Sequence, residues 1–299
     1  MTVAAIREGF ETADREKRFV ALSSVLAAVF LTGMKVAVGV STGSIGILAE
    51  AAHSSLDLVA AVVTLWAVRA AGRPADPEHT YGHGKIENLS ALFETALLLL
   101  TCLWIVYESI ERLFFQPAHV EPTAWAFAVM AISIVVDVSR SRALARTAKK
   151  YGSQALEADA LHFSTDVWSS AVVLLGLALV VVSQRTGVAW LAKGDAVAAL
   201  VVAAIVVALS LNLGKKSIDD LVDAVPVGLR ERLVAAARVP GVVDVPALRV
   251  RRTGPHAFVD ATLTVGRHLA LERAHEISDA AEAALKGLLP GADVVAYVE

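Results

Sequence analysis

Two short strings of this sequence place acid and imidazole side chains in otherwise apolar surroundings: Glu50, His53 and Asp57 in one, Asp159, His162 and Asp166 in the other. Each reads acid, His three residues on, then Asp four residues after that, a spacing that sets all three side chains on one face of a helix. Ionisable groups are costly to hold inside hydrocarbon, and where they persist they mark ion and proton pathways. Two such helices side by side would offer His53, Asp57, His162 and Asp166 to a single cation. Zinc takes four nitrogen or oxygen ligands in a tetrahedron at about 2 Å. Two His and two Asp fill that shell without sulfur, and the two aspartates balance a dication. Metal needs neutral imidazole and ionised carboxylate, so protons compete for the same atoms. With an ordinary His pKa of about 6.5, that exchange runs near neutral pH. A site holding either metal or protons has the outline of an antiporter. The alternative is a pair of buried ion pairs, His53 with Asp166 and Asp57 with His162, that only fasten the helices, a task small-residue packing performs without burying charge. Glu50 and Asp159, one turn from the imidazoles, read as partners behind the ligands, as vestibule acids or as hydrated helix-end groups. Lys35, Glu94 and Asp137 are expected to snorkel towards an interface.

The elements that must position these groups are membrane helices. At 299 residues, 56% hydrophobic and 19% charged, the chain is too apolar for an ordinary soluble protein. A span needs about 20 apolar residues, and six stretches qualify before residue 220: 19–40, 45–71, 88–114, 122–141, 155–183 and 191–214. Short cytoplasmic loops are enriched in Lys and Arg. Arg15, Lys17 and Arg18 precede the first span; Arg69, Arg73 and Lys85 flank the second loop; Arg140, Arg142, Arg146, Lys149 and Lys150 fall in the fourth; Lys215 and Lys216 follow the sixth. The opposite side holds little beyond Arg112, Arg185 and Lys193. Both termini are therefore expected in the cytoplasm. The N-terminal segment lacks a signal-peptidase site and reads as a retained cytoplasmic helix. In that orientation the second and fifth spans are antiparallel, which levels His53 with Asp166 and Asp57 with His162. An inverted repeat with its site between the halves is a transporter plan; chance similarity of two short segments is the alternative.

The net charge of -3 and the absence of a basic aromatic surface argue against nucleic acid as a partner. Cys102, the sole cysteine, lies in an apolar run, so neither a disulfide framework nor a thiolate cluster is available and no resident cofactor is expected. The chain divides into a 1–18 arm, a 19–218 membrane domain and a 219–299 soluble domain. Residues 226–299 predict helix 227–238, strands 247–252 and 257–265, helix 269–287 and strand 292–298, an α+β unit.

Between the second and third spans lies Arg73-Pro-Ala-Asp-Pro-Glu-His-Thr-Tyr-Gly-His-Gly-Lys-Ile-Glu87. Asp76, His79 and His83, at spacings of three and four beside Gly82 and Gly84, suggest a second metal site, with a pH-sensitive solvated loop as the alternative. The paired His-x-x-x-Asp motifs, this loop, six spans and a soluble tail together resemble the cation diffusion facilitator family of divalent-metal/proton antiporters over nearly the whole chain. The resemblance implies a homodimer, in a bacterial cytoplasmic (inner) membrane, that exports Zn2+ or a similar ion by alternating access against inward protons, with a ferredoxin-like, metallochaperone-like tail. It places the transport site on His53, Asp57, His162 and Asp166 and a loop site on Asp76, His79 and His83. The His/Asp, His/Asp set looks like that of zinc- and cadmium-selective members, while cobalt, iron and manganese remain open on ligand chemistry. It also implies that Lys85 pairs with Asp223 or Asp220 as a charge lock of the dimer. The tail departs from the pattern: Pro246, Thr262 and Tyr297 stand where zinc-binding relatives place His, leaving His275 and Glu299. His256, Asp260 and His268 are a substitute set, or scattered surface residues. Two other functions compete. A metal-dependent intramembrane enzyme needs an open coordination position, which four side chains would fill; against a metal sensor or scaffold of the same fold that no longer transports stands the intact ligand set.

Overall fold

The computed structural model describes residues 3–114, 124–186, 194–254 and 256–299. Six long helices form a bundle: α1 (Val3–Thr42), α2 (Ile45–Ala71), α3 (Lys85–Phe114), α4 (Ala124–Tyr151), α5 (Gln154–Thr186) and α6 (Gly194–Leu221). By length and composition α1, α2, α3 and α6 qualify as membrane spans among the described residues. The other two carry charge on their inner faces: α4 holds Asp137 and Arg140, and α5 holds Asp159, His162 and Asp166. α1 runs without a break from Val3 through the expected helical arm into the first span. The connections 115–123 and 187–193, the latter carrying Lys193, lie outside the described residues.

α1 pairs with α2 and α4 with α5 as hairpins, while α3 packs along α6. Ser44 caps α2 by accepting the Ile47 N–H at 3.4 Å. Between α4 and α5 the chain reverses at Gly152, whose φ of +64° is open to glycine and strained for other residues. Ser153 then caps α5 through the Leu156 N–H. Interior faces are small or branched: Ala21, Ala61, Leu65, Val68, Leu144, Ala148, Ala155, Leu156, Ala160 and Phe163 join α1, α2, α4 and α5 in one core. Alanine at such contacts lets helix backbones approach closely. The outer faces are inverted relative to a soluble protein. Phe19, Phe30, Trp66, Leu103, Trp104, Val135 and Trp168 all stand exposed, the surface a bilayer would cover. Half of the α2 span is buried against 28% of the α1 and α6 spans, so α2 runs deeper in the bundle.

At one end a ring of polar contacts ties the helices. Lys17 of α1 reaches Glu87 of α3 at 2.9 Å, and Ser153 donates to the same carboxylate. Asp220 of α6 accepts from Asn88 and Gln154, and Lys216 pairs with Glu157 at 2.6 Å. The start of α3, the α4–α5 turn and the end of α6 thus share one end with the soluble tail.

The tail comprises α7 (Leu229–Ala237), β1 (Val242–Thr253), β2 (His256–Val265), α8 (Leu271–Leu288) and β3 (Asp293–Val298). The sheet order is β1-β2-β3, with β1 antiparallel and β3 parallel to β2. Leu233, Val259, Leu263, Ala281 and Leu285 centre its core between the sheet and the two helices. The first strand begins at Val242 rather than the expected 247. Pro246 lacks an N–H, and the ladder tolerates it through register shifts between Val242 and Asp244 and between Asp244 and Ala247.

The α2–α3 loop docks on this tail. Tyr81 meets Phe258 edge-on at 5.1 Å, with the Arg251 guanidinium 4.1 Å from the Tyr81 ring centre. A Cβ on Gly84 would lie 2.5 Å from the Thr253 carbonyl oxygen. Overpacking of this kind costs about 1–3 kcal/mol, so Gly84→Ala should part loop from tail. Hydrogen exchange of the backbone at 251–258 should rise about tenfold, while the core of β2 and β3 stays protected.

Candidate metal centre

α2 and α5 meet through their motif faces. His162 Nε2 lies 3.0 Å from Asp57 Oδ1, and His53 Nε2 lies 3.7 Å from Asp166 Oδ1. Pairing 57 with 162 and 53 with 166 requires antiparallel helices in the register expected from the sequence. Within each helix, His53 is 3.9 Å from Asp57 and His162 is 3.8 Å from Asp166. A tetrahedron with arms of about 2 Å has edges of about 3.3 Å, and these four separations bracket that length. His53, Asp57 and Asp166 each offer a ligand atom within 4.8 Å of the others; His162 joins them through its contacts to both aspartates. Asp166 Oδ2 is buried without a hydrogen bond, an acceptor that a cation would satisfy. His162 and Asp57 are buried, while the His53 side chain is 37% exposed and marks the open side of the cluster.

Behind His162 stands a polar layer that sequence spacing did not reveal. The Phe163 ring meets the imidazole edge-on at 5.4 Å, and the Arg140 guanidinium lies 3.4 Å from the centre of that ring. Arg140 also donates to Ser24 Oγ at 3.0 Å and to Asp137 at 3.3 Å. Ser24 donates onward to Asp159 at 3.2 Å. Arg140, expected among the loop cations from its place at the end of an apolar run, is buried on α4; the available signal is Asp137 one turn earlier. Asp159 is fully buried rather than hydrated.

The expectation that Lys35, Glu94 and Asp137 snorkel is also overturned. Each is buried with a partner inside the bundle: Lys35 with Ser54 at 2.7 Å and Glu50 at 3.2 Å, Glu94 with Thr64, and Asp137 with Arg140. Snorkelling requires an unobstructed route to water, and helices packed on both sides close it.

The loop residues form a second cluster. His79 Nδ1 is 3.1 Å and His83 Nε2 is 3.3 Å from the two oxygens of Asp76, with the imidazole centres 4.3 Å apart. Asp76 is exposed and oriented by the backbone, accepting the N–H of His79 at 2.6 Å and of Glu78 at 3.0 Å. The His79 N–H, helped by its ring and by Glu78, holds the Asp76 carboxyl below the usual carboxylate range. All three therefore present ligand atoms to one point.

Lys85 pairs with Asp223 at 2.9 Å and with the Leu221 carbonyl at 3.0 Å, within a single chain; Asp220 serves the helix ring instead. In the tail, His256, Asp260 and His268 do not converge, since the two clusters above are the only such groups among the described residues. Burial, and then Lys17, push the His256 imidazole below its ordinary range. His275 sits exposed on α8, 3.8 Å from Asp279.

Comparison with known proteins finds matches to both the helix bundle and the tail. A family model described as the cation efflux transmembrane domain matches residues 21–222, and another described as the cation efflux protein cytoplasmic domain matches 231–299. The chain is 31% identical over 283 residues to the cation-efflux pump FieF of Pectobacterium atrosepticum, covering 93% of this chain and 90% of that one. The pump of the same name from Cronobacter sakazakii is 32% identical over 281 residues, with the same coverage. A solved MamM C-terminal domain is 36% identical, covers 23% of this chain and 91% of its own, and superposes with a TM-score of 0.23.

Asp76 offers a separation of charge from scaffold. Asp76→Asn keeps an acceptor for the His79 and Glu78 N–H groups and removes the anionic ligand; Asp76→Ala removes both. Cadmium binding to the loop, followed by the cadmium-perturbed NMR signals of His79 and His83, should weaken more than about 100-fold in each variant, since even indirect ligand support is worth about 10–100-fold. Loop backbone shifts in the metal-free protein should change in the Ala variant alone.

Proposed function

The chain belongs to the cation efflux, or cation diffusion facilitator, family, and from that premise we propose that it exports Zn2+ or a similar dication from the cytoplasm in exchange for protons by alternating access. The family consists of transporters rather than enzymes, and divalent metal efflux is the activity it supports. The reading takes His53, Asp57, His162 and Asp166 as the transport ligands and Asp76, His79 and His83 as a second, non-transporting metal site. It places both termini in the cytoplasm of a bacterial inner membrane, divides the chain at 18/19 and 218/219, and pairs two copies as a homodimer.

The observation that carries the transport site is the reciprocal contact of Asp57 with His162 and of His53 with Asp166 across two antiparallel helices. Charge decides what this cluster does. Two carboxylates with two neutral imidazoles bind a dication as a neutral unit. Without the metal, two protonated imidazoles facing two carboxylates are again neutral. Both loads cross the low-dielectric interior without net charge, and an unloaded site, with two bare carboxylates, does not. That penalty on the empty carrier is what obliges exchange. One dication therefore leaves for two protons taken up at these ligands. Alternating access then requires α2 and α5 to move as a pair, opening the site first to one side and then to the other.

Ligand choice favours zinc or cadmium. Imidazole with carboxylate in a four-cornered shell suits a small borderline cation, and the measured separations leave little space for the six to eight oxygens that calcium takes.

Asp57→Ala strands the buried His162, Asp166→Ala strands the partly exposed His53, and each leaves the cation without one ligand. In proteoliposomes with a pH dye inside, zinc-driven proton movement should fall more than about 100-fold in either variant, with helical content retained. Unchanged flux in both would refute the four-ligand site. Truncation after Asp223 removes α7, the sheet and α8. Sedimentation in detergent should then show a shift from dimer towards monomer, and an undisturbed dimer would place the subunit contact in the helices.

A further inference from the structure

Beside the loop cluster lies a cleft of about 330 Å³ between the α2–α3 loop and the tail. His83, Lys85 and Tyr81 line it from the loop, Arg251 and Thr253 from β1, and Glu78 stands exposed as its one acid. Its polar walls are mostly donors. The Thr253 side chain is 3% exposed and its Oγ1 has no hydrogen-bond partner. The His83 side chain is 9% exposed, its Nε2 faces Asp76 at 3.3 Å, and its Nδ1 is likewise unpartnered. An imidazole engaged through one nitrogen normally donates from the other to an acceptor; here that acceptor is missing.

The cations point the same way. Arg251 is stacked on Tyr81 at 4.1 Å, and among the described residues no carboxylate pairs with its guanidinium. Stacking fixes the plane of the fork and leaves its N–H edge free, the arrangement that receives a tetrahedral oxyanion. Lys85 spends donors on Asp223 and on the Leu221 carbonyl, and an ammonium has three. Lys85 is also the first residue of α3, where the positive end of the helix dipole adds to the field.

We propose that this cleft is a binding site for a phosphate group, held by the Arg251 guanidinium and Lys85 ammonium and hydrogen-bonded by Thr253 Oγ1 and His83 Nδ1. The group is either inorganic phosphate or the headgroup phosphate of an anionic lipid, since the loop lies at the end of the helix bundle. Its oxygens accept what His83 and Thr253 now leave unused. By bridging β1 to the loop, it draws the tail against the membrane domain.

The test uses the full-length, metal-free protein in neutral detergent, with inorganic phosphate as the probe and 31P NMR line broadening as the readout. Wild type should bind saturably. Arg251→Gln and the isosteric Thr253→Val should each weaken binding at least tenfold, with zinc transport unchanged. In a second arm, nanodiscs of phosphatidylglycerol are compared with phosphatidylcholine, reading hydrogen exchange at 251–258. Extra protection by phosphatidylglycerol that disappears in Arg251→Gln assigns the site to lipid phosphate, whether or not the free ion binds. Overturning results are phosphate binding equal in wild type and both variants, or no phosphate binding together with lipid protection that ignores Arg251.

Discussion

Charge buried where water cannot follow is the constraint around which this molecule is arranged. An ionised aspartate within a helix bundle is tolerable only beside a compensating cation, and each buried aspartate lining the α2–α5 contact faces an imidazole of the other helix. A shift of one helix by a single residue would turn one motif face away and leave two carboxylates uncompensated. The register of α2 against α5 is therefore held by electrostatics as well as by the alanine-rich surfaces between the helices.

The same requirement explains the polar layer around the cluster. Arg140 balances Asp137 directly and Asp159 through Ser24, and its stacking on Phe163 makes the ring beside His162 part of a packed column rather than a loose wall. Lys35 does the corresponding task for Glu50 on the other side. α1 and α4 thus position the site without offering it a ligand. At the end of the bundle the ring from Lys17 to Lys216 fixes the helix ends, so rearrangement of α2 and α5 has a stiff reference at the tail side and none among the described contacts at the other.

The sequence made the motif legible because a spacing of three and four residues is a statement about one helical face, and helices in lipid have few other options. The antiparallel register follows from that spacing and the loop charges, the six helices from the length of the apolar runs, and the loop cluster from its own close spacing. Long-range partners did not. Whether Arg140 sits in a loop or a core depends on how far α4 continues past its apolar run, and the stretch 142–150 has good helix formers that carry it to Tyr151. Burial of Lys35 and Asp159 depends on neighbours 15 to 135 residues away, information that periodicity does not hold. The early start of β1 was hidden by Pro246, a residue that argues against a strand unless a bulge admits it. The choice of Asp223 over Asp220 for Lys85 rested on the turn after α6, where Asp223 takes a φ of 59° and Asp220 faces back into the bundle.

The two His/Asp clusters differ in the way their proposed roles require. Both join imidazole to aspartate at similar distances, yet the carboxylates of one are buried between helices and that of the other lies exposed on a loop. In the buried cluster imidazoles and carboxylates compensate one another, so under the proposed exchange a departing metal would have to be replaced by protons. In the loop, water screens Asp76 whether or not a cation is present, and backbone N–H groups already stabilise its charge. Nothing there obliges exchange. The loop is packed against β1 through Tyr81 and Gly84, so a cation held at Asp76, as proposed, would be felt by the tail. On the proposed reading, identical donor types would serve transport where solvent is excluded and a non-transporting metal site where it is not.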